Sequence, residues 1–220
     1  MKKSWIIAIM LLIIFIICSV SVMASDDNAL MEAGQYLKEF LSNTKQISET
    51  NDPDAIAAIY HDNIITKSLI EHRRKTSGLL QAESVEYLSD YQIVNLLVRN
   101  MMIVEEAERL GLSATQAEID NMLNQTKQTF ESAAVRDAMD VYFKSAGITM
   151  EEYFVLLEES VPAMIASNKL RTEIGKQYCE KNGLEYTNIN PPQEMLDAID
   201  AYIEELFEAH KGEIVYYIDN

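Results

Sequence analysis

Within residues 91–120, YQIVNLLVRNMMIVEEAERLGLSATQAEID, the run 93–104 is apolar almost all the way round a helical wheel. A helix of that kind needs cover on several sides, so the remainder of the chain has to be arranged around it. Its polar residues Gln92, Asn95, Arg99 and Glu106 recur at helical spacing and form one narrow strip, expected to be the only edge left wet. Gly111 offers a left-handed stop, and Thr115 with Glu118 three residues on makes a capping box for the next helix. The spacing therefore predicts a helix, a tight turn and a second helix.

The flanking sequence supplies that cover. Leu30, Ala33, Leu37, Phe40, Leu41 and Ile47 lie at helical spacing and predict an amphipathic helix over 26–47. After the breaker Asn51-Asp52-Pro53-Asp54, the run 55–60 reads as a short strand, and His61-Asp62-Asn63 as a hairpin-like bend. Thr66 is placed to cap a helix from Lys67 towards Gly78, with the central helix expected to begin near Glu83. Beyond the joint, residues 119–130 and 133–143 continue in helical phase, with a break expected between them, to a stop at Gly147. Thr149 and Glu152 form a further capping box, opening a long helix that Pro162 should kink or divide and Gly183 should end. Pro191 and Pro192 set up a last helix closed by Gly212, and 213–218, EIVYYI, reads as a strand. Neither strand can satisfy its backbone alone, so 55–60 is expected to pair with 214–218. The expected fold is mostly α, with a small two-stranded β element joining the near-N-terminal and C-terminal segments.

Residues 1–24 read as a targeting segment, either a cleaved signal peptide or an uncleaved anchor. Met1, Lys2 and Lys3 form a positive start, an apolar core follows, and Val22-Met23-Ala24 is a small-residue cleavage site. Residues 5–23 approach the length needed to tether the chain in a membrane. The expected location is therefore extracytoplasmic. Residues 25–50 form an N-terminal amphipathic helix, and 51–220 the main helical domain. A net charge of -17 repels phosphate backbones, so no nucleic-acid partner is expected.

The segment AAIYHDNIITKSLI, 57–70, resembles the opening of the SurA N-terminal domain family, a short strand and turn leading into an Ile-Thr-x-Ser helix start. NLLVRNMMIVEEAERLGLSATQAEID followed by AGITMEEYFVLLEES is similar to that family's central helix, Leu-Gly-Leu-Ser turn and Gly-Ile-Thr-x-Glu-Glu helix start. The similarity spans roughly residues 55–174. The resemblance implies a helical domain of SurA- and PrsA-type envelope chaperones and foldases, which bind unfolded protein. It departs in one respect: those proteins insert a parvulin-type prolyl isomerase domain, whereas here only residues 184–191 separate the long helix from the last one. No isomerase residue carries over.

Nothing else in the sequence points to catalysis. His61, His72 and His210 show no metal-ligand spacing and read as surface residues, no nucleophile elbow or phosphate loop occurs, and no cofactor or metal is expected. Cys179 reads as a partly buried helical thiol. Methionine and aromatic side chains suit surfaces that accept varied apolar partners, which nominates Met101, Met102, Met122, Phe130, Met139, Tyr142, Phe143, Tyr153 and Phe154 as a peptide-binding groove. Ordinary core packing is the competing reading, and helical spacing favours it. The expected function is non-catalytic binding of unfolded or extended polypeptides during export or folding. The alternative is an assembly subunit holding one specific envelope partner.

Overall fold

The computed structural model describes residues 27–50, 53–79, 88–133 and 135–219. The targeting segment read at 1–24 lies outside them. Among the described residues no helix is long and apolar enough to cross a membrane.

In chain order the elements are α1 (Asp27–Thr50), β1 (Ile56–Tyr60), β2 (Asn63–Thr66), α2 (Lys67–Leu79), α3 (Asp90–Arg109), α4 (Gln116–Glu131), α5 (Arg136–Ala146), α6 (Met150–Asn182), α7 (Gln193–His210) and β3 (Ile214–Tyr216). The expected mostly helical class is what the structure shows. Three capping boxes set the helix starts. Thr115 with Glu118 opens α4 and Thr149 with Glu152 opens α6, as their spacing predicts. A third, Ser89 with Gln92, opens α3, which corrects the start expected near Glu83. Each cap satisfies an otherwise orphaned backbone N–H, a contribution of about 1 kcal/mol.

Pro162 neither ends nor divides α6, which runs continuously for 33 residues. The carbonyl deprived of the Pro162 N–H is that of Glu158, which lies on the exposed side of the helix. The neighbouring Leu157, Val161 and Ile165 are buried and hold the helix to the core through the interruption.

The sheet has three strands rather than the two expected, in the order β2-β1-β3 and antiparallel throughout. The added strand is the far arm of the bend at His61-Asp62, close enough to pair directly, with Ile59 opposite Ile64. The long-range pairing follows the expected partners, Ala58 with Tyr216, Ile59 with Val215 and Tyr60 with Ile214. Ala57, Ala58, Tyr60 and Ile65 are buried beneath the sheet's inner side.

Helix α3 is the spine of two adjoining cores. Ile93, Leu97, Val98, Met101 and Met102 pack with residues of α1, the sheet, α5 and α6, while Ile103 and Ala107 pack with Ala166, Leu170 and Ile174 of α6 and Met195, Ile199 and Ile203 of α7. Each such side chain contributes about 1.5–3 kcal/mol through burial. Helix α1 belongs to the first core through Leu37 and Phe40, and it approaches α5 very closely. A Cβ added at Gly34 would sit 2.5 Å from the Tyr142 carbonyl oxygen and 2.9 Å from the Ala146 nitrogen, closer than carbon atoms tolerate. Gly34 is thus a contact surface between two helices.

Candidate functional site

The nine side chains expected to line a groove are mostly core. Met101, Met102, Phe130, Met139, Tyr142, Phe143 and Tyr153 are each at most 6% exposed. The aromatic members interlock, with Phe130 ring centroids 6.1 Å from Phe143, 5.9 Å from Tyr153 and 6.0 Å from Phe154. These are ordinary aromatic packing distances, and the seven buried residues present no surface to a peptide. Phe154 is half-buried against this core. Met122, also half-buried, lines an open groove of about 380 Å³ with Leu112, Ile165 and Lys169, beside the α3–α4 joint. There Lys169 Nζ donates to Glu118 Oε2 at 2.7 Å and to the Ser113 carbonyl at 3.0 Å, and the Glu118 carboxyl is held down to about 2, first by Lys169 and then by its bonds from Thr115. Of the nine, Met122 is the one that lines this groove.

The polar strip of α3 is likewise not an open edge. Tyr216 OH donates to Asn95 Oδ1 at 2.5 Å, Arg99 Nη2 pairs with Glu204 at 2.6 Å and lies over the Phe207 ring, and Glu106 accepts from Tyr202 OH at 2.6 Å. Arg109 also donates to Glu106, and its guanidinium, with the Tyr202 bond, holds that buried carboxyl below the usual range against the opposing effect of burial. The strip expected to stay wet is the seam on which α7 and β3 dock.

What the molecule does expose is the outer side of its sheet. Ile64, Ile59 and Val215 are cross-strand neighbours in one row, so their side chains point the same way, and Tyr217 follows two residues after Val215. Ile64 is 43% exposed, Val215 52% and Tyr217 55%. The sheet also ends at β3. Tyr217 N donates to the Ala57 carbonyl at 2.8 Å, and by antiparallel alternation Val215 also turns its backbone groups to β1, which aims those of Tyr216 at the sheet's margin. Among the described residues no further strand pairs there.

At the N-terminal end of β3 lies a polar cluster the sequence did not disclose. His61, in the two-residue turn between β1 and β2 and with φ of 50°, is bonded through Nδ1 to Glu105 Oε1 of α3 at 3.2 Å and through Nε2 to Glu213 Oε2 at 2.5 Å. Glu213 also meets His210 Nδ1 at 2.9 Å, while Tyr60 OH donates to Glu105 Oε2 at 3.0 Å and its ring stacks on His61 at 4.0 Å. The hydrogen bond to Glu213 is the largest influence raising the His61 pKa, with Glu105 adding to it against partial burial. Its two histidines lower the Glu213 carboxyl in turn. Both His61 ring nitrogens are engaged, so neither is presented to a substrate. The two carboxylates lie at opposite ring nitrogens, and among the described residues no group of His, Cys, Asp or Glu is arranged to hold a metal ion.

The remaining residues singled out in the sequence have packing roles. His72 is 6% exposed, with its ring 4.7 Å from that of Phe40, which corrects its reading as a surface residue; burial pushes its pKa down to about 4. Cys179 is fully buried, its Sγ 3.6 Å from Met195 Sδ. Compared with family models, with characterised proteins and with solved structures, the chain matches none.

Proposed function

We propose that this chain is a non-catalytic, chaperone-like protein of the cell envelope that binds extended polypeptide, and that the client docks on the sheet rather than between the helices. One observation carries the reading: an apolar row, with Ile64, Val215 and Tyr217 exposed and Ile59 half-buried between them, lies on a sheet whose last strand, among the described residues, is paired on one side only. Backbone N–H and C=O groups at such a margin are complementary to another extended strand, and alternate apolar side chains of that strand would continue the row. The resemblance to the SurA N-terminal domain family, carried by the residue patterns at 57–70, 95–120 and 146–160, supports the same reading, as does an acidic exterior that keeps an apolar complex dispersed.

The test is suppression of aggregation. The purified segment from Ser25 should delay aggregation of an unfolded client at near-stoichiometric amounts, and the double variant Val215→Glu, Tyr217→Glu should lose most of that delay. Both positions are exposed, so its stability should stay within about 1 kcal/mol of the parent. No delay by the parent at several-fold excess would overturn the reading. Crosslinking in the native envelope adds a second check: many unrelated clients support it, whereas a single recovered protein identifies an assembly subunit instead.

A further inference from the structure

His61 joins three parts of the chain that are remote in sequence: its own β1–β2 turn, Glu105 of α3, and Glu213 in the turn that leads into β3. A carboxylate only accepts hydrogen bonds, and His61 has one on each ring nitrogen. A neutral imidazole carries a single N–H and would turn a lone pair towards the other carboxylate; only the doubly protonated ring donates to both. The strand held in this way is three residues long; Ile214 is buried in the core, and Tyr216 bonds to Asn95 and packs its ring 4.7 Å from that of Tyr91. Loss of the His61–Glu213 bond therefore removes the polar tie at the strand's N-terminal end.

We propose that His61, Glu105 and Glu213 form a proton-operated clasp that seats β3 on β1, so that the strand is fixed while His61 is protonated and loosens when it is not. The charged groups that act on the His61 ring are Glu105 from α3 and Glu213 from the turn before β3, and His210 stands behind Glu213 on its second oxygen. Because these partners raise the His61 pKa above 6.5, the clasp contributes fully below that value and its contribution is lost as the pH rises through the higher folded-state value. The side chains are 45%, 39% and 45% exposed, so salt weakens the effect. The meaning of the clasp for client binding rests on the docking reading above. The clasp itself is measured without a client.

The experiment is hydrogen exchange of the full chain between pH 6 and 9, corrected for intrinsic exchange rates, following the segment that contains the Tyr217 amide. In the parent, protection of that segment should fall by about tenfold for each unit separating the folded and free imidazole values, while segments of α3 keep theirs. His61→Asn tolerates the left-handed turn and should give low protection at every pH, with no further fall. Glu213→Gln should do the same. A parent whose β3 protection is independent of pH overturns the proposal, as does an unchanged fall in His61→Asn. A fall abolished by His210→Asn but kept in His61→Asn also overturns it, by moving the switch to the other histidine. Aggregation delay measured on the same samples separates the two ideas: a clasp that switches in a protein giving no delay defeats the docking reading and leaves the clasp standing.

Discussion

The hydroxyls of Tyr142 and Tyr153 are buried in the aromatic core and find no hydrogen-bond partner among the described residues. Burial pushes both phenols well above their ordinary range, and Tyr142 is raised further by Tyr153. Removing such a hydroxyl removes a desolvation cost, so Tyr153→Phe should change stability by less than about 1 kcal/mol or raise it, whereas Phe130→Ala in the same cluster should cost about 3–5 kcal/mol. Urea titration of the two variants checks the contrast, and a Tyr153→Phe loss approaching that of Phe130→Ala would show that the hydroxyl has a partner. At this scale the sequence is most legible where a signal is local. The Thr115–Glu118 and Thr149–Glu152 boxes can be read because both halves lie within one turn of helix. The clasp cannot, since His61 and Glu213 acquire their relation only when the ends of the fold meet, and neither residue is unusual among its neighbours.

Helix packing turns on Gly34. A methyl group there meets the backbone of α5, which cannot swing aside as a side chain can. Gly34→Ala should therefore destabilise the protein by about 1–3 kcal/mol, despite alanine's better helix propensity, because α1 and α5 must separate. Thermal denaturation measures this, and a gain in melting temperature would show that the two helices are not held at that distance. The apolar stripe of α1 reveals which face is buried, but a glycine's role depends on the element it touches, and nothing in residues 27–50 names α5. Pro162 illustrates the same limit in reverse. Its chemistry allows a kink or a division, and with packing on both sides of it α6 is not divided. The break between α4 and α5 is legible in the sequence, and so is the bend at His61-Asp62, but not the third strand that the bend produces.

For the molecule as a whole, acid should be more damaging than the helical content suggests. Glu106, Glu118 and Glu213 all have carboxyls held below their ordinary value of 4.5, Glu118 as far as about 2. A carboxyl depressed on folding stabilises the native state above its unfolded value and loses that contribution as the pH falls through the folded one. The urea midpoint should therefore fall in two stages, first below about pH 6.5, where the unfolded chain's His72 takes up a proton that the buried ring resists, and then between 4.5 and 2 as these carboxyls protonate, and Glu118→Gln should flatten part of the second stage. An acid limb identical in that variant would assign the loss to other groups. The mostly helical architecture and its central spine were legible in the hydrophobic pattern, because an all-round apolar helix admits few arrangements. The location of an accessible apolar surface was not, since the methionine and aromatic content that suggested a groove is the same content that fills a core.

The pairing of β3 with β1 also sets a schedule. A chain made or exported from its N-terminus presents Ala57, Ala58 and Tyr60 long before Ile214 exists to cover them, and closing so long a loop is the slowest kind of contact to form. During that interval β1 has an open side of its own, able to accept any passing strand. The sheet is closed by β3, and a nascent copy of the molecule is, until that strand arrives, in the same exposed condition as the clients it is proposed to hold.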